Sequence, residues 1–211
     1  YVRTCGAMDG LSCVAAVELN VSCPNVSDGL TFGTDPRRLR ELTASVKGAV
    51  RSKPLIVKLS PNVEDITHTA RAAIEGGADA LSLVNTFTAM AVDVWKRSPR
   101  LANVTGGLSG GAIKPIAVHM VSRVYRQVAR AAGVPLIGMG GIADWRDAAE
   151  FILAGASAVG IGTALFADPT TPARVLDGLA SWAAKLGAAS LRELVGSLRL
   201  PGDQPAASPY P

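Results

Sequence analysis

Residues 20–25 read Asn-Val-Ser-Cys-Pro-Asn and bring two carboxamides, a hydroxyl and a thiol to the end of an apolar run. A carboxamide both donates and accepts hydrogen bonds, so Asn20 and Asn25 could bind both edges of a planar ring with alternating C=O and N–H groups. A free thiol titrates at about 8.5, and a modest shift would let Cys23 accept a proton at neutral pH. The alternative is that Cys23 is a small buried hydrophobe, which is the usual role of a lone cysteine.

Lys58 lies within the apolar run LIVKL, where a charge needs a partner. It could bind a phosphate or an anionic cofactor, or form a Schiff base with a carbonyl substrate. The alternative is a lysine whose ammonium reaches out of the sheet to water. Asn85 and Thr86 end the next apolar run, either as ligand groups or as a turn with an Asx hydrogen bond.

Three glycine-rich stretches follow in chain order: residues 106–110 (GGLSG), residues 138–141 (GMGG) and Gly162-Thr163. Glycine lets backbone N–H groups approach a ligand, and such groups near helix starts bind phosphate. Any one pair could serve only a tight turn, but three in order beside an interior lysine favour an anion site. His68 and His119 lie on helical patterns and are predicted to face solvent.

The elements that position these residues alternate between strand and helix. Short apolar runs predict strands buried on both faces at residues 17–21, 55–59, 80–84, 135–139 and 158–161. Capping residues predict helices that begin at Asp35-Pro36, at Asn62 or Asp65, at Ile113, at Asp144 and at Pro172. The same patterns end at residue 50, Gly76-Gly77, Gly133, Gly155 and Leu186.

This alternation predicts an α/β protein with a parallel sheet, either doubly wound or a (β/α)₈ TIM barrel. Polar residues collect after the carboxyl ends of the strands, as at a barrel mouth, and no GxGxxG follows the first strand. We therefore expect a barrel. Because a full barrel has eight strands in about 250 residues, the five runs predict its C-terminal part, strands four to eight. Residues 1–200 would form this partial domain, and residues 201–211 a flexible Pro-rich tail.

Composition excludes several other classes of protein. The 211 residues are 48% hydrophobic and 18% charged, which is the balance of a folded domain. The net charge of +4 is scattered and aromatics make up 5%, unlike a nucleic-acid binder. No apolar run has the roughly 18 residues of a membrane span. The three cysteines show no CxxC spacing and there are only two histidines, which argues against a metal site. An odd number of cysteines in a chain of this kind favours the reducing cytoplasm, and Cys5 and Cys13 are predicted to be structural.

Six motifs together resemble the class 1 dihydroorotate dehydrogenases, over about residues 17–168. They are ELNVSCPN, PLIVKLSPN, GADALSLVNT, GGLSGGAIKPIAVHMV, PLIGMGGI and GASAVGIGTALF. The sequence is most similar to the NAD-linked type 1B of that family. The resemblance implies an FMN-binding (β/α)₈ barrel that oxidises (S)-dihydroorotate to orotate in pyrimidine (UMP) biosynthesis.

The resemblance also implies roles for individual residues. Cys23 would be the base that removes a proton from C5 while hydride passes from C6 to flavin N5. The pyrimidine would be held by Asn20, Asn25, Asn85 and Thr86, and Asn20 would also reach the flavin. Lys58 would lie beside the flavin ring, where its charge stabilises the anionic reduced form. The flavin and phosphate loops would include Val84, Gly110, Gly140, Gly141, Gly162 and Thr163.

Partners follow from the same resemblance. Type 1B enzymes pass electrons to a subunit that carries FAD and an iron–sulfur cluster, whereas type 1A enzymes use fumarate. The sequence IKPIAVHMV favours type 1B, so we expect a homodimer or a heterotetramer with the electron-transfer subunit. No cysteine cluster in this sequence could itself bind such a cluster.

The sequence departs from the family in lacking a match to strands one to three, which carry a further lysine and an Asn-containing loop. Without them we expect unpaired sheet edges and poor FMN binding, as in a partial gene product. A smaller departure is Gly111, where the family usually has proline. Three alternatives stay open: a pyrimidine-reducing barrel like that of dihydropyrimidine dehydrogenases, a Schiff-base aldolase using Lys58, and an inactive truncated barrel.

Overall fold

The computed structural model describes residues 1–22 and 29–203, so Cys23 and Asn25 lie outside the described residues. The strands in chain order are β1 (Val17–Asn20), β2 (Leu55–Lys58), β3 (Ala80–Leu83), β4 (Phe87–Ala89), β5 (Val92–Asp93), β6 (Ser98–Pro99), β7 (Gly106–Leu108), β8 (Leu136–Met139) and β9 (Ala158–Gly160). The helices are α1 (Val2–Asp9), α2 (Gly29–Thr34), α3 (Pro36–Ala49), α4 (Ile66–Glu75), α5 (Lys114–Val124), α6 (Arg130–Ala132), α7 (Trp145–Ala154), α8 (Ala164–Ala167) and α9 (Thr171–Lys185). Short 3₁₀ turns span Gly111–Ile113 and Leu191–Leu194.

Five strands form one parallel sheet in the order β1-β2-β3-β8-β9. Their register places Asn20 opposite Lys58, and Lys58 opposite Ser82 on the far side. The carboxyl ends of the strands therefore meet along one edge. All five predicted strands are confirmed within one residue at each end, as is the parallel α/β arrangement.

The two faces of this sheet differ. Along β1 and β2, residues such as Leu19 and Val57 are fully buried against the helices, while Glu18 and Lys58 on the opposite face are open to solvent or half-buried. The prediction that the strands are buried on both faces is therefore wrong for β1 and β2, whereas β3 is buried on both faces, with Leu81, Ser82 and Leu83 all inaccessible. Apolar side chains such as Ile56 and Ile137 line the open face and make the runs look continuous in the sequence.

Local capping chemistry explains where the helices begin. The Asp35 carboxylate accepts a hydrogen bond from the Arg37 N–H at 2.9 Å, and Pro36 supplies a preset first turn. Of the two starts proposed for α4, Asp65 is the cap, because its carboxylate accepts from the Thr67 N–H at 2.9 Å. The long helix expected from Ile113 is α5 continued through a π-helical turn into α6, and it ends at a left-handed glycine.

Two small antiparallel pairs, β4 with β7 and β5 with β6, form an excursion between β3 and α5 that the sequence did not predict. No helix in the described part of the chain is both long and apolar enough to cross a membrane. Within the same residues, no group of three His, Cys, Asp or Glu side chains is placed to hold a metal ion.

Candidate functional site

A cavity of about 370 Å³ lies at the carboxyl ends of the sheet strands. Most of the described residues that the sequence predicted for a site line it: Lys58, Val84, Asn85, Thr86, Gly110, Gly140, Gly141, Gly162 and Thr163. They come from four strand ends and from the loop before α5. The structure thus brings together groups that are more than 100 residues apart in the chain.

Asn20 reaches this group through another amide. Its Oδ1 accepts a hydrogen bond from Asn85 Nδ2 at 3.1 Å and another from the Ser22 N–H at 3.2 Å. The Oδ1 of Asn85 in turn accepts from the Thr86 N–H at 2.8 Å. The two carboxamides, one ending β1 and one following β3, therefore form a single linked unit above the end of β2.

A third amide, Asn62, fixes the loop that follows β3. Its Nδ2 donates to the Thr86 carbonyl at 3.0 Å, and its Oδ1 accepts from the Thr88 N–H at 2.8 Å. Sequence reasoning treated Asn62 only as a possible helix cap. Its place in SPN, directly after a predicted strand like the other amides, was the signal that could have identified it.

Lys58 has its partner on the open face of the sheet. Its Nζ lies 3.9 Å from Glu18 Oε1, and Ser82 Oγ donates to Glu18 Oε2 at 2.9 Å. The interaction joins β1, β2 and β3. Glu18 was not predicted as a site residue, although its spacing of two from Asn20 places both on the same face of the strand.

The glycine loops pack tightly against one another. Gly110, Gly140 and Gly141 have φ values of +91°, +133° and +82°, which side chains rarely allow. A Cβ added at Gly141 would lie 2.6 Å from the Gly110 carbonyl oxygen. Thr163 Oγ1 donates to Ser109 Oγ at 2.8 Å, so the loop after β9 is tied to the loop before α5.

An ion pair behind these loops joins the starts of two helices. Lys114 Nζ at the start of α5 lies 2.6 Å from Asp147 Oδ1 on α7. Asp147 Oδ2 also accepts from the Ala143 N–H at 2.9 Å, which holds the loop after β8. Burial raises the pKa of Asp147, but hydrogen bonds from Lys114 and two backbone N–H groups outweigh burial and hold that pKa below 3.8.

The β4–β7 pair packs against one of the cavity residues. A Cβ at Gly107 would collide with the Thr86 side chain, so only glycine fits there. This contact explains part of the GGLSG stretch: Gly107 allows close approach to Thr86, whereas Gly110 adopts a special φ.

Other predicted residues lie away from the cavity or outside the described residues. Cys23 and Asn25 are in the second group, and their roles remain predictions. His68 and His119 are exposed on helices, as expected. Cys5 is buried, whereas Cys13 is exposed.

Comparison with known proteins gives consistent relatives. A family model described as dihydroorotate dehydrogenase matches residues 1–182. The chain is 49% identical over 201 residues to the dihydroorotate dehydrogenase B (NAD(+)), catalytic subunit, of Bacteroides thetaiotaomicron, covering 95% of this chain and 65% of that protein. It is 51% identical over 199 residues to the subunit of the same name from Pelobacter propionicus, covering 94% and 64%. The chain thus spans slightly less than two thirds of these relatives' length.

A solved structure supports the same fold. The crystal structure of DHODH from Eimeria tenella in complex with ferulenol superposes with a TM-score of 0.73 at 25% identity, covering 87% of this chain and 54% of that one. This confirms the predicted α/β class, with the five parallel strands as part of a TIM barrel. Because the family model spans every strand of the main sheet and every loop that lines the cavity, the chain belongs to the dihydroorotate dehydrogenase family.

Proposed function

We propose that this chain forms the flavin and substrate site of a type 1B dihydroorotate dehydrogenase, which oxidises (S)-dihydroorotate to orotate for pyrimidine biosynthesis. The observation that carries the proposal is the single cavity in which Lys58, the Asn85-Thr86 pair and three glycine loops meet. Amides suit a planar pyrimidine, and a lysine with exposed backbone N–H groups suits an anionic cofactor.

The residues that line the cavity fit FMN. A Cβ on Gly162 would meet no protein atom within 4 Å, so the space in front of this backbone is open to a ligand. The first backbone N–H groups of a helix lack intrahelical acceptors, and α5 begins next to the same loops. In the proposal the phosphate would be held by Gly110, Gly140, Gly141, Gly162 and Thr163, and the flavin ring would be bound by Lys58 and Val84.

When bound, FMN supplies the hydride acceptor. The linked amides of Asn20 and Asn85 bind and orient the pyrimidine, with Thr86 and Asn25 as further contacts. Cys23 Sγ removes the proton from C5 of dihydroorotate as the C6 hydride leaves. A weakly acidic C–H needs a base on one side of the ring and an electron acceptor on the other, and the proposal assigns these roles to Cys23 and FMN.

The relatives are named as catalytic subunits of an NAD(+)-linked enzyme. We extend that name to this chain and propose a homodimer that assembles with a second subunit carrying FAD and an iron–sulfur cluster. The complex would pass electrons to NAD⁺ in the cytoplasm. Within the described residues no cysteine cluster could hold the iron–sulfur group, so it would belong to the second subunit.

An FMN titration followed by flavin fluorescence tests the site. Lys58→Met should weaken binding about tenfold, which corresponds to about 1.4 kcal/mol. Gly141→Val should abolish binding, because its side chain would contact the Gly110 oxygen and strain the backbone. Gly48→Ala in α3, whose Cβ meets nothing within 4 Å, is the matched control and should bind as the parent does. Equal binding by all four proteins would refute the assigned cavity.

A further inference from the structure

The open face of the sheet holds an ion pair whose carboxylate, Glu18, the proposed mechanism does not use. Glu18 and Lys58 lie on neighbouring strands, and their side chains are 37% and 22% exposed. The Lys58 side chain lines the cavity. Glu18 is not among the lining residues, but it lies on the same face of the sheet, two residues before Asn20 in β1. Among the described residues Lys58 is the only lysine that lines this cavity, and the Glu18 carboxylate lies 3.9 Å from its ammonium.

The contacts of Glu18 show a carboxylate held in place. Ser82 Oγ, fully buried on β3, donates to its Oε2 at 2.9 Å, while Oε1 lies 3.9 Å from Lys58 Nζ. The hydroxyl thus fixes one oxygen and turns the other toward the ammonium. The ion pair is loose compared with that of Lys114, whose Nζ is 2.6 Å from Asp147.

This difference in distance has a chemical consequence. A closely paired lysine has its charge largely neutralised by its partner, whereas a loose pair leaves the ammonium able to interact with a second anion. The pair still adds no net charge to the cavity floor. Any anion that forms above Lys58 therefore meets a cation whose field is reduced by the carboxylate behind it.

We propose that Glu18, fixed by Ser82, is a positioning residue that keeps the Lys58 ammonium at the cavity floor by charge attraction rather than by a hydrogen bond, and moderates the positive field that Lys58 exerts on the flavin. The part that concerns the flavin rests on the function proposed above. The part that concerns the position of Lys58 does not, because it can be measured on the chain without cofactor.

The first measurement is NMR of the lysine ammonium groups in the ¹⁵N-lysine-labelled full chain. A held ammonium exchanges its protons slowly enough to be observed. Glu18→Gln keeps the side-chain shape and the acceptor for Ser82 but removes the charge, so the Lys58 signal should be lost. Glu18→Asp, which keeps the charge, should restore it in part. The Lys114 signal is the internal control and should stay unchanged, and Glu64→Gln on the exposed surface should change neither.

The second measurement is the midpoint potential of the FMN-loaded protein. Glu18→Gln removes a negative charge and leaves the net charge of the cavity floor one unit more positive. The anionic reduced flavin should therefore be stabilised, and the midpoint potential should shift upward. Lys58→Met should shift it downward. A Lys58 signal that persists in Glu18→Gln, or a potential that is unchanged or lower in that variant, would overturn the proposal. If the parent protein binds no flavin even after strands one to three of a relative are added to it, the proposed function fails, and the ammonium signal alone then decides the role of Glu18.

Discussion

At the residue scale, the amides at the strand ends bond to one another and to the backbone. Asn20 accepts from Asn85, and Asn62 bonds to both sides of the loop that carries Thr86. An amide that is linked in this way loses little freedom when a ligand binds, which favours affinity. The geometry of the ligand-facing groups therefore depends on Asn62, which does not itself line the cavity.

Substitution of Asn62 tests this dependence. Asn62→Ala removes the acceptor of the Thr88 N–H, so hydrogen exchange at that amide should accelerate about tenfold, the effect of about 1.4 kcal/mol. Asn62→Asp keeps an oxygen for Thr88 but loses the donor to Thr86, so the Thr88 amide should stay protected. Amide exchange followed by NMR distinguishes the two variants. Equal protection of Thr88 in both would mean that Asn62 does not hold the loop.

Sequence reasoning identified the site residues that end a strand or directly follow one. Lys58, Asn85 and Thr86 stand out because a polar group at the end of an apolar run has few structural explanations. Glu18 was missed because a charge early in a strand is informative only once that face is known to be open. Asn62 was missed because its bonds go to the backbone of residues 24 and 26 positions away, which sequence spacing does not reveal.

At the element scale, the strands and caps were predictable because they depend on local sequence, while the excursion between β3 and α5 was not. Its strands are two or three residues long, and β4 pairs with β7 across a loop, with Phe87 opposite Leu108. Such short runs show no alternation that a sequence pattern could reveal. The glycines of GGLSG were noticed, but the contact of Gly107 with Thr86 is visible only in three dimensions.

The ion pair between α5 and α7 makes a prediction about stability and pH. Lys114→Met should lower the free energy of unfolding at neutral pH by about 1 kcal/mol, because it breaks a partly buried pair. The pKa of Asp147 in the folded protein is below 3.8, the value expected for the unfolded chain. This stabilisation is therefore fully present above pH 3.8 and is lost as the pH falls through the pKa that Asp147 has in the folded protein.

Urea unfolding of the parent and of Lys114→Met at neutral pH and well below pH 3.8 measures this effect. The difference between the two proteins should shrink in acid. Hydrogen bonds to Asp147 and Glu150 raise the pKa of Lys114 in the folded protein above 10.5. The same difference in stability should therefore also decline as the pH rises through this raised pKa. Lys185→Met on the exposed end of α9 is the control and should have little effect at any pH. A difference that does not depend on pH would exclude the ion pair as its cause.

At the scale of the whole molecule, the sheet has two open edges. Within the described residues β1 and β9 each pair on one side only, and the open face of the sheet holds exposed or half-buried groups such as Glu18 and Met139. A closed barrel would bury that face. A ligand at the rim of the described sheet is therefore held from fewer sides than in a full barrel.

This openness predicts weak retention of cofactor. Gel filtration of the FMN-saturated 211-residue chain should strip most of the flavin, whereas a chimera that adds strands one to three of a relative should stay yellow. The Gly48→Ala version of the chimera is the control and should also retain flavin. A 211-residue chain that keeps FMN at one per chain through the column would contradict the expectation that the five strands alone bind FMN poorly.

The most direct test of the account is the reduction of bound FMN by (S)-dihydroorotate without oxygen, followed by loss of the flavin's yellow absorbance in the FMN-saturated chimera. We expect dihydroorotate to bleach the flavin and dihydrouracil to leave it oxidised. Cys23→Ala should bind FMN like the parent but reduce it slower by roughly 10² or more, the contribution of a positioned base. Three results would each contradict the assigned chemistry. They are reduction by dihydrouracil at an equal rate, an unchanged rate of reduction in Cys23→Ala, and bound FMN that dihydroorotate never reduces.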